Sequence, residues 1–303
     1  MTSPRRPSVL VTGASEGGAG HALALEFASK GFRVLATARS TKSLTGLKEK
    51  GIELLTLDVT SPDSIAALKD EVTRLTGGKL DVLFNNAGAL YEAPAIEADA
   101  ARVRSMFDAN VFGVFEMVTA FSPLLLAAVS DAKRPPTIVN TASVLARVPY
   151  PFSSAYNATK AAVVAYSDSL RIEVVPLGIK VVTLYMGIVS TKLASPDSVQ
   201  FGSQSIYIDA EKGVKNRGVH YHEDGMKPAE FARLVVGDLV DKNHGLGRGE
   251  FLWRGGNAAI VWFLNIFGWR KIFDSSAESS ASMTSEVKKS IAEKGKASVY
   301  RKP

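Results

Sequence analysis

Strand-like and helix-like segments alternate along the first 190 residues of this chain of 303, and the alternation limits the possible folds more than any other feature. Apolar runs with the length of buried strands occur at 8–12, 33–38, 52–57, 80–84, 136–141 and 180–185, and a seventh, short run lies at 250–253. Helical patterns follow at 21–30, 61–75, 98–130, 154–175 and 228–240. Such a chain packs as a doubly wound parallel sheet of about seven strands, with helices on both faces.

A glycine-rich turn joins the first strand to the first helix. Residues 13–20 read GASEGGAG. Glycines let the backbone approach a pyrophosphate, and a helix N-terminus offers free N–H groups and a partial positive charge. This layout predicts a dinucleotide site.

The end of the second strand indicates which dinucleotide binds. Sites for NAD usually carry an acidic residue there, whereas this chain has Ala38 followed by Arg39. Arg39 can pair with a 2′-phosphate, so we predict NADPH, although Glu16 in the glycine-rich turn would repel phosphate. The alternative for Arg39 is a surface salt bridge.

Chemically useful residues follow several predicted strands. Ligands of doubly wound sheets lie beyond the carboxyl ends of the strands. The residues at those ends are Gly13, Arg39, Asp58, Asn86, Ser143 and Met186. Their shared position at the strand ends is stronger evidence for a functional site than any single motif is.

The segment from Ser143 to Lys160 contains the strongest catalytic candidates. Tyr156 and Lys160 are four residues apart, which places both side chains on one face of a helix. An ammonium beside a phenol favours the phenolate, so the sequence predicts a Tyr156 pKa below its usual value. The alternative is a solvated helix pair with no function.

Composition excludes some kinds of site. The chain has no cysteine, so it can form neither disulfides nor thiolate metal sites, and its four histidines show no ligand spacing with acidic residues. We therefore predict no metal.

The net charge is +6, with many cations in the last thirty residues, and a solvated basic tail is favoured over nucleic-acid binding. The N-terminus shows no apolar core of a signal peptide. The sequence contains no run of eighteen apolar residues, so we expect no membrane-spanning helix.

Together these motifs resemble the short-chain dehydrogenase/reductase family over about residues 8–253. The resemblance implies a Rossmann-type catalytic domain at 1–255 and a catalytic set of Asn110, Ser143, Tyr156 and Lys160. It also implies that NADPH or NADP⁺ contacts Thr12, Gly13, Ser15, Gly18, Gly20, Arg39, Asp58, Val59, Asn86, Ala87, Gly88, Tyr156, Lys160, Gly187, Val189 and Thr191.

The implied reaction is reduction of a hydrophobic ketone, with Tyr156 as proton donor, Ser143 on the carbonyl oxygen and Asn110 holding a water beside Lys160. The extra residue Gly17, with Thr-Ala-Arg after the second strand, is similar to fungal 1-acyldihydroxyacetone-phosphate reductase-like members and to some steroid and retinol reductases. Met186 replaces the family's usual proline before Gly187. The alternatives are an acyl-dihydroxyacetone-phosphate substrate, a ketone of fungal secondary metabolism, or a non-catalytic NADPH-binding scaffold at a lipid surface.

The C-terminal third departs from the alternation. A polar segment at 190–227 is expected to be a substrate loop, and residues 256–274 an apolar helical extension that forms a lid or a membrane-interface anchor through 257–271. The basic tail at 275–303 is expected to be disordered. The family implies a homodimer through the helices that carry Asn110 and Tyr156. We expect an intracellular protein, cytoplasmic or peripheral on endoplasmic reticulum or lipid droplets.

Overall fold

A computed structural model describes residues 5–242 and 245–299. Its sheet has seven strands in the order β3-β2-β1-β4-β5-β6-β7, and every neighbouring pair is parallel. The strands are β1 Ser8–Val11, β2 Arg33–Ala38, β3 Glu53–Thr56, β4 Val82–Asn85, β5 Thr137–Ser143, β6 Lys180–Met186 and β7 Phe251–Arg254. This confirms the predicted doubly wound α/β fold.

Ten α-helices occur in the described part of the chain. They are α1 Ala19–Ser29, α2 Pro62–Thr76, α3 Ala100–Phe107, α4 Gly113–Ala128, α5 Ser154–Val174, α6 Ile208–Glu223, α7 Pro228–Val236, α8 Ala258–Phe267, α9 Asp274–Ser280 and α10 Ser285–Ser298. Successive strand residues point to opposite faces of the sheet. Val9 and Val11 accordingly pack under α1 and α7, and Leu10 packs under α2, α4 and α5.

The predicted helix at 98–130 is one continuous helical segment with a wider, π-helical turn at Asp108–Phe112. This segment, Ala100–Ala128, is long and apolar enough to cross a membrane by length and composition alone, although it contains no unbroken run of eighteen apolar residues. Half of its most apolar window is buried inside the fold, and buried core helices pass the same test. Gly113 lets the segment approach the chain after β3, because a Cβ there would lie 2.7 Å from the Val59 carbonyl oxygen.

The segment at 190–227 differs from the expected polar loop, since most of its second half forms α6. One face of α6 is buried through Ala210, Val214 and Arg217. Packing of this face explains a helix whose sequence is too polar to indicate one.

The expectation of a disordered tail at 275–303 was wrong for the described residues, which form α9 and α10. Ala281 and Val287 pack against Val214 of α6, and Lys294 forms an ion pair with Asp209. These contacts join segments distant in sequence, so composition alone could not reveal them. Residues 300–303 lie outside the described part.

Candidate active site

Ser143, Tyr156 and Lys160 meet at the carboxyl end of β5. Ser143 is the last residue of that strand, and Tyr156 and Lys160 lie in the first two turns of α5. All three are buried. The Lys160 Nζ lies 5.6 Å from the centre of the Tyr156 ring and donates a hydrogen bond of 2.8 Å to the Thr141 carbonyl. The structure thus brings together a hydroxyl, a phenol and an amine.

Burial controls the ionisation of this pair. It raises the pKa of Tyr156 to about 12, a hydrogen bond with Ser143 acts in the opposite direction, and the charge of Glu92 raises this pKa further. Burial also lowers the pKa of Lys160 to about 8. The predicted depression of the Tyr156 pKa was therefore wrong. Both groups are removed from water, which favours the neutral form of each.

Asn110 lies in the π-helical turn and acts as a bridge between two parts of the site. Its Oδ1 accepts a hydrogen bond from the Ala89 N–H at 2.7 Å, and its Nδ2 donates to the Ala89 carbonyl at 2.9 Å and to Thr159 Oγ1 at 3.1 Å. The Thr159 hydroxyl in turn donates to the Tyr156 carbonyl. The Asn110 amide therefore positions the loop after β4 against α5, and its expected role in holding a water stays a prediction.

Gly88 lies where these groups converge. A Cβ on Gly88 would lie 3.2 Å from Asn110 Oδ1 and 3.8 Å from Lys160 Nζ. A side chain here would crowd both polar groups.

Hydrogen bonds between side chains and backbone groups hold the glycine-rich turn against the end of β4. Thr12 Oγ1 accepts hydrogen bonds of 2.9 Å from the N–H groups of Asn86 and Ala87, and Asn86 Nδ2 donates to the carbonyls of Thr12 and Gly13. A Cβ on Gly20 would lie 2.4 Å from the Gly13 carbonyl oxygen, so only glycine fits. The side chains of Thr12 and Asn86 thus shape the turn.

The start of α1 remains suited to an anion. Gly18 is its N-cap and provides no capping side chain, and the first turn contains no acidic residue. The backbone N–H groups of that turn are therefore available to phosphate. Ser15 Oγ lies 3.0 Å from Ser43 Oγ, which ties the glycine-rich turn to the chain after β2.

Arg39 is exposed at the end of β2, beside Asp58. Asp58 accepts hydrogen bonds from the N–H and hydroxyl of Thr60, which, with a smaller effect of the Arg39 charge, hold its pKa below the usual value. No ion pair within 4 Å involves Arg39 among the described residues. The contact of Arg39 with a 2′-phosphate stays a prediction, and Val59 directly follows Asp58 at the same edge of the sheet.

The chain after β6 forms the opposite wall. The Gly187 N–H donates to the Arg254 carbonyl, and a Cβ on Gly187 would lie 2.2 Å from the Gly256 carbonyl oxygen. Val189 is buried and pairs with Met226, and Thr191 directly precedes a short 3₁₀ turn. These predicted cofactor residues thus lie on the chain that follows the carboxyl end of β6, and their contact with the cofactor stays a prediction.

A buried ion pair beside the site was not predicted. Arg217 of α6 contacts the Glu92 carboxylate and also donates to the Ser153 hydroxyl at 3.3 Å and to the Pro151 carbonyl. Ser153 itself donates to Glu92 at 2.9 Å. The cluster joins the loop after β4, the turn before α5 and the α6 helix. Because Glu92 and Arg217 are 125 residues apart in the sequence, no local motif could have indicated their pairing.

A cavity lies at the other end of the sheet. It has a volume of about 810 Å³ and is lined by residues at the amino ends of strands, including Pro7, Val82, Thr137 and Lys180. The catalytic groups lie at the carboxyl ends, so this cavity is separate from them. No group of three or more His, Asp or Glu side chains within 5–242 and 245–299 is arranged to hold a metal, and His244 lies outside these ranges.

A family model described as short chain dehydrogenase matches residues 7–200. The chain belongs to this family. Short-chain dehydrogenase fogD from Aspergillus ruber is 34% identical over 267 residues, which cover 88% of this chain and 90% of that protein. Short-chain dehydrogenase virD from Hypocrea virens is 36% identical, with coverages of 88% and 89%.

A relative with higher identity matches a shorter stretch. The NADPH-dependent 1-acyldihydroxyacetone phosphate reductase of Schizosaccharomyces pombe is 46% identical over 187 residues, 62% of this chain and 61% of that protein. The match thus spans less than two thirds of either sequence. Among solved structures, a short-chain dehydrogenase from Streptomyces avermitilis has a TM-score of 0.73 and 28% identity, covering 93% of this chain and all of that one.

The short-chain dehydrogenase assignment makes this chain an oxidoreductase with a nicotinamide cofactor, and its own residues fit that group. The close-packed turn at Gly13 and Gly20, the uncapped start of α1 and the exposed Arg39 all lie at the carboxyl ends of β1 and β2. Tyr156 and Lys160 lie in α5, which follows β5, and β5 is two strands from β1 in the same sheet.

Proposed function

We propose that this enzyme reduces the carbonyl of a hydrophobic ketone with NADPH. The observation that carries the proposal is the burial of Ser143, Tyr156 and Lys160 together at the sheet edge that also carries the glycine-rich turn. A non-catalytic scaffold, the alternative of a different class, has no use for this arrangement.

The roles of the three residues follow from their chemistry. NADPH supplies a hydride when it is bound. The Ser143 hydroxyl lies beside Tyr156 and can donate to the carbonyl oxygen, which stabilises the negative charge that develops there. The Tyr156 hydroxyl gives its proton to the same oxygen. Lys160, fixed by its bond to the Thr141 carbonyl, supplies positive charge beside the phenol as the proton leaves.

At neutral pH the ionisation of the site is compatible with proton donation to a carbonyl. Burial raises the pKa of Tyr156 to about 12, so the phenol carries the proton that reduction requires. An alcohol oxidation would instead use the phenolate as base, and burial disfavours that form.

The preference for NADPH rests on Arg39 and is supported by the NADPH-dependent relative from Schizosaccharomyces pombe. Arg39 is exposed at the end of β2, and Lys192 approaches the glycine-rich turn from the other side, since a Cβ on Gly17 would lie 3.6 Å from its Nζ. Both cations can meet cofactor phosphates, whereas a lone carboxylate at the end of β2 would repel them.

The substrate is better described as an uncharged apolar ketone than as a lipid phosphate. Five cations in the segment at 190–227 could have received a phosphate. Arg217 is paired with Glu92, Lys215 is paired with Glu211, and Lys192 reaches the glycine-rich turn, which leaves the exposed Lys212 and Lys227. The aromatic side chains of Tyr150, Phe152 and Tyr221 contribute apolar surface around the segment. The relative that acts on an acyl-dihydroxyacetone phosphate favours the lipid phosphate as a second candidate.

A matched pair of substrates separates the candidates. NADPH oxidation is followed with a 1-acyl-dihydroxyacetone phosphate, with the same ketone lacking the phosphate, and with a fused-ring ketone. We expect the two phosphate-free ketones to be reduced with KM values no higher than that of the phosphate ester. Reduction of the ester alone would favour the lipid-phosphate reductase. NADPH binding with no turnover on any ketone would support the scaffold.

A further inference from the structure

Helix α8 and the two residues after it carry a group of exposed apolar side chains, which we call the α8 patch. Its members are between 44% and 71% exposed: Ile260, Trp262, Phe263, Ile266, Phe267 and Trp269. Most proteins expose large apolar side chains singly, and a contiguous group marks a contact surface. Phe263 and Phe267 also contact each other, with ring centres 5.0 Å apart.

The opposite side of α8 explains why this surface faces outward. Ala258 and Val261 are buried, and Leu264 packs with them against Val144 and Phe273. Apart from the exposed Asn265, the helix therefore carries apolar side chains on both its buried and its exposed side, and the buried stripe holds it on the protein. An isolated helix at a membrane interface turns a polar face to water. In α8 that side is instead covered by the rest of the protein.

We propose that the α8 patch binds the surface of an anionic lipid bilayer. Tryptophan and phenylalanine side chains beside cations are typical of segments that insert into the headgroup region. Arg270 and Lys271 directly follow the patch and are exposed, and no acidic residue occurs between 255 and 273. The surface is thus both apolar and positively charged, which complements anionic headgroups.

The charges argue against a second copy of the chain as the occupant. In a two-fold contact of this patch with itself, Arg270 and Lys271 would approach the same cations of the other copy. With no carboxylate between 255 and 273, the patch itself offers them no partner. A bilayer provides the missing negative charge and admits the aromatic rings.

The position of the patch links it to the reaction. The buried face of α8 contacts the turn Val144–Ala146, which begins directly after Ser143. Lipid bound by the α8 patch would therefore lie on the same side of the molecule as the end of β5.

The intact protein provides its own reporters. Two of the three tryptophans, Trp262 and Trp269, belong to the patch, and the third, Trp253, stacks on Tyr185. With vesicles of phosphatidylcholine and phosphatidylserine in a 3:1 ratio, we expect co-sedimentation and quenching of tryptophan fluorescence by lipids brominated near the headgroup, since interfacial helices enter the bilayer by about 5–10 Å. Pure phosphatidylcholine vesicles should bind less, and salt should reduce the difference.

Three double variants test whether the α8 patch is responsible for vesicle binding. Phe263→Ser with Phe267→Ser changes exposed side chains without touching the buried stripe, and should weaken vesicle binding at least about tenfold. Arg270→Gln with Lys271→Gln should remove the preference for anionic vesicles. The matched control, Ile96→Ser with Ile172→Ser, removes equally exposed apolar groups elsewhere and should bind as the wild type does.

Two results would overturn the proposal. One is a wild-type protein that binds neither kind of vesicle while it remains folded. The other is a wild-type dimer that becomes monomeric with Phe263→Ser and Phe267→Ser, since this would make the patch an interface between copies. Truncation before α8 is less informative, because it would expose Val144 and remove the α9 and α10 contacts with α6.

Discussion

The part of the chain up to about residue 200 and the part after it are built in different ways. The first matches the family model and contains the glycine-rich turn, Ser143, Tyr156 and Lys160. Its contacts follow from the order of strands and helices. The second part adds one edge strand and a series of helices, held by distant pairs such as Glu92 with Arg217 and Asp209 with Lys294.

The first part contains the residues that we predict to bind the cofactor and to act on the carbonyl. The second part contributes α6, whose Arg217 pairs with Glu92, and the exposed aromatic surface of α8. Our proposals assign the reaction to the first part and the choice and supply of substrate to the second. Changes in the first part should therefore abolish turnover, and changes in the second should alter stability of α6, KM or lipid binding.

Ser143→Ala should have the largest effect on the reaction. Loss of one oxyanion contact typically lowers kcat by about 10²–10³-fold, while NADPH binding should not change because Ser143 lies on the substrate side. Steady-state kinetics and NADPH fluorescence measure the two properties. Ser154→Ala, on an exposed hydroxyl at the start of α5, is the control. A loss below tenfold would separate Ser143 from the reacting oxygen.

Arg217→Met should loosen α6 while the strands stay intact. It leaves the buried Glu92 carboxylate without its cation, and such a loss costs about 3 kcal/mol or more. Hydrogen exchange of α6 amides should become roughly a hundredfold faster, and exchange in β4 and β5 should not change. KM should rise more than kcat falls.

Two further variants test the cause of that loosening. Glu92→Gln combined with Arg217→Met should restore most of the protection, because no unpaired charge remains. Lys215→Met, which removes a partly exposed ion pair within the same helix, should have little effect. Equal effects of Arg217→Met and Lys215→Met would show that the buried pair has no special part in holding α6.

Lys160 should make stability depend on pH. Burial lowers its pKa from 10.5 to about 8, so between these values the unfolded chain binds a proton that the folded chain has lost. Stability therefore rises with pH across this window, by roughly 2 kcal/mol between about pH 8 and about pH 10. Urea unfolding of Lys160→Met should lose this rise, and the exposed-site control Lys48→Met should keep it. A rise that persists in Lys160→Met would assign it to another group.

Arg39→Ser should have the smallest effect, confined to cofactor choice. One charge-assisted contact is worth about 1.5 kcal/mol, so the NADPH dissociation constant should increase roughly tenfold and that of NADH should not change. Titration of cofactor fluorescence measures both. Arg74→Ser, on the far helix α2, is the control. An equal loss for both cofactors would contradict a contact with the 2′-phosphate.

Local patterns predicted the first part well and the second only in part. The helix at 228–240, the strand at 250–253 and the helical extension at 256–274 correspond to α7, β7 and α8, whereas α6, α9 and α10 were not predicted. Strand length, the glycine spacing and the four-residue step from Tyr156 to Lys160 are local properties, and each correctly placed its element. The predicted direction of the Tyr156 pKa shift was wrong, because burial of the phenol depends on the whole fold. Helices α6, α9 and α10 were missed because they form on contacts such as Ala281 with Val214, which lie far apart in the chain.

The most direct test of proton donation compares Tyr156→Phe with the wild type in rapid mixing of the NADPH-bound enzyme with a ketone that the wild type reduces. We expect NADPH to bind the variant as tightly as the wild type, because the ring stays in place, and the rate of NADPH oxidation to fall at least about 100-fold. An unchanged rate with bound NADPH would show that the Tyr156 hydroxyl does not supply the proton.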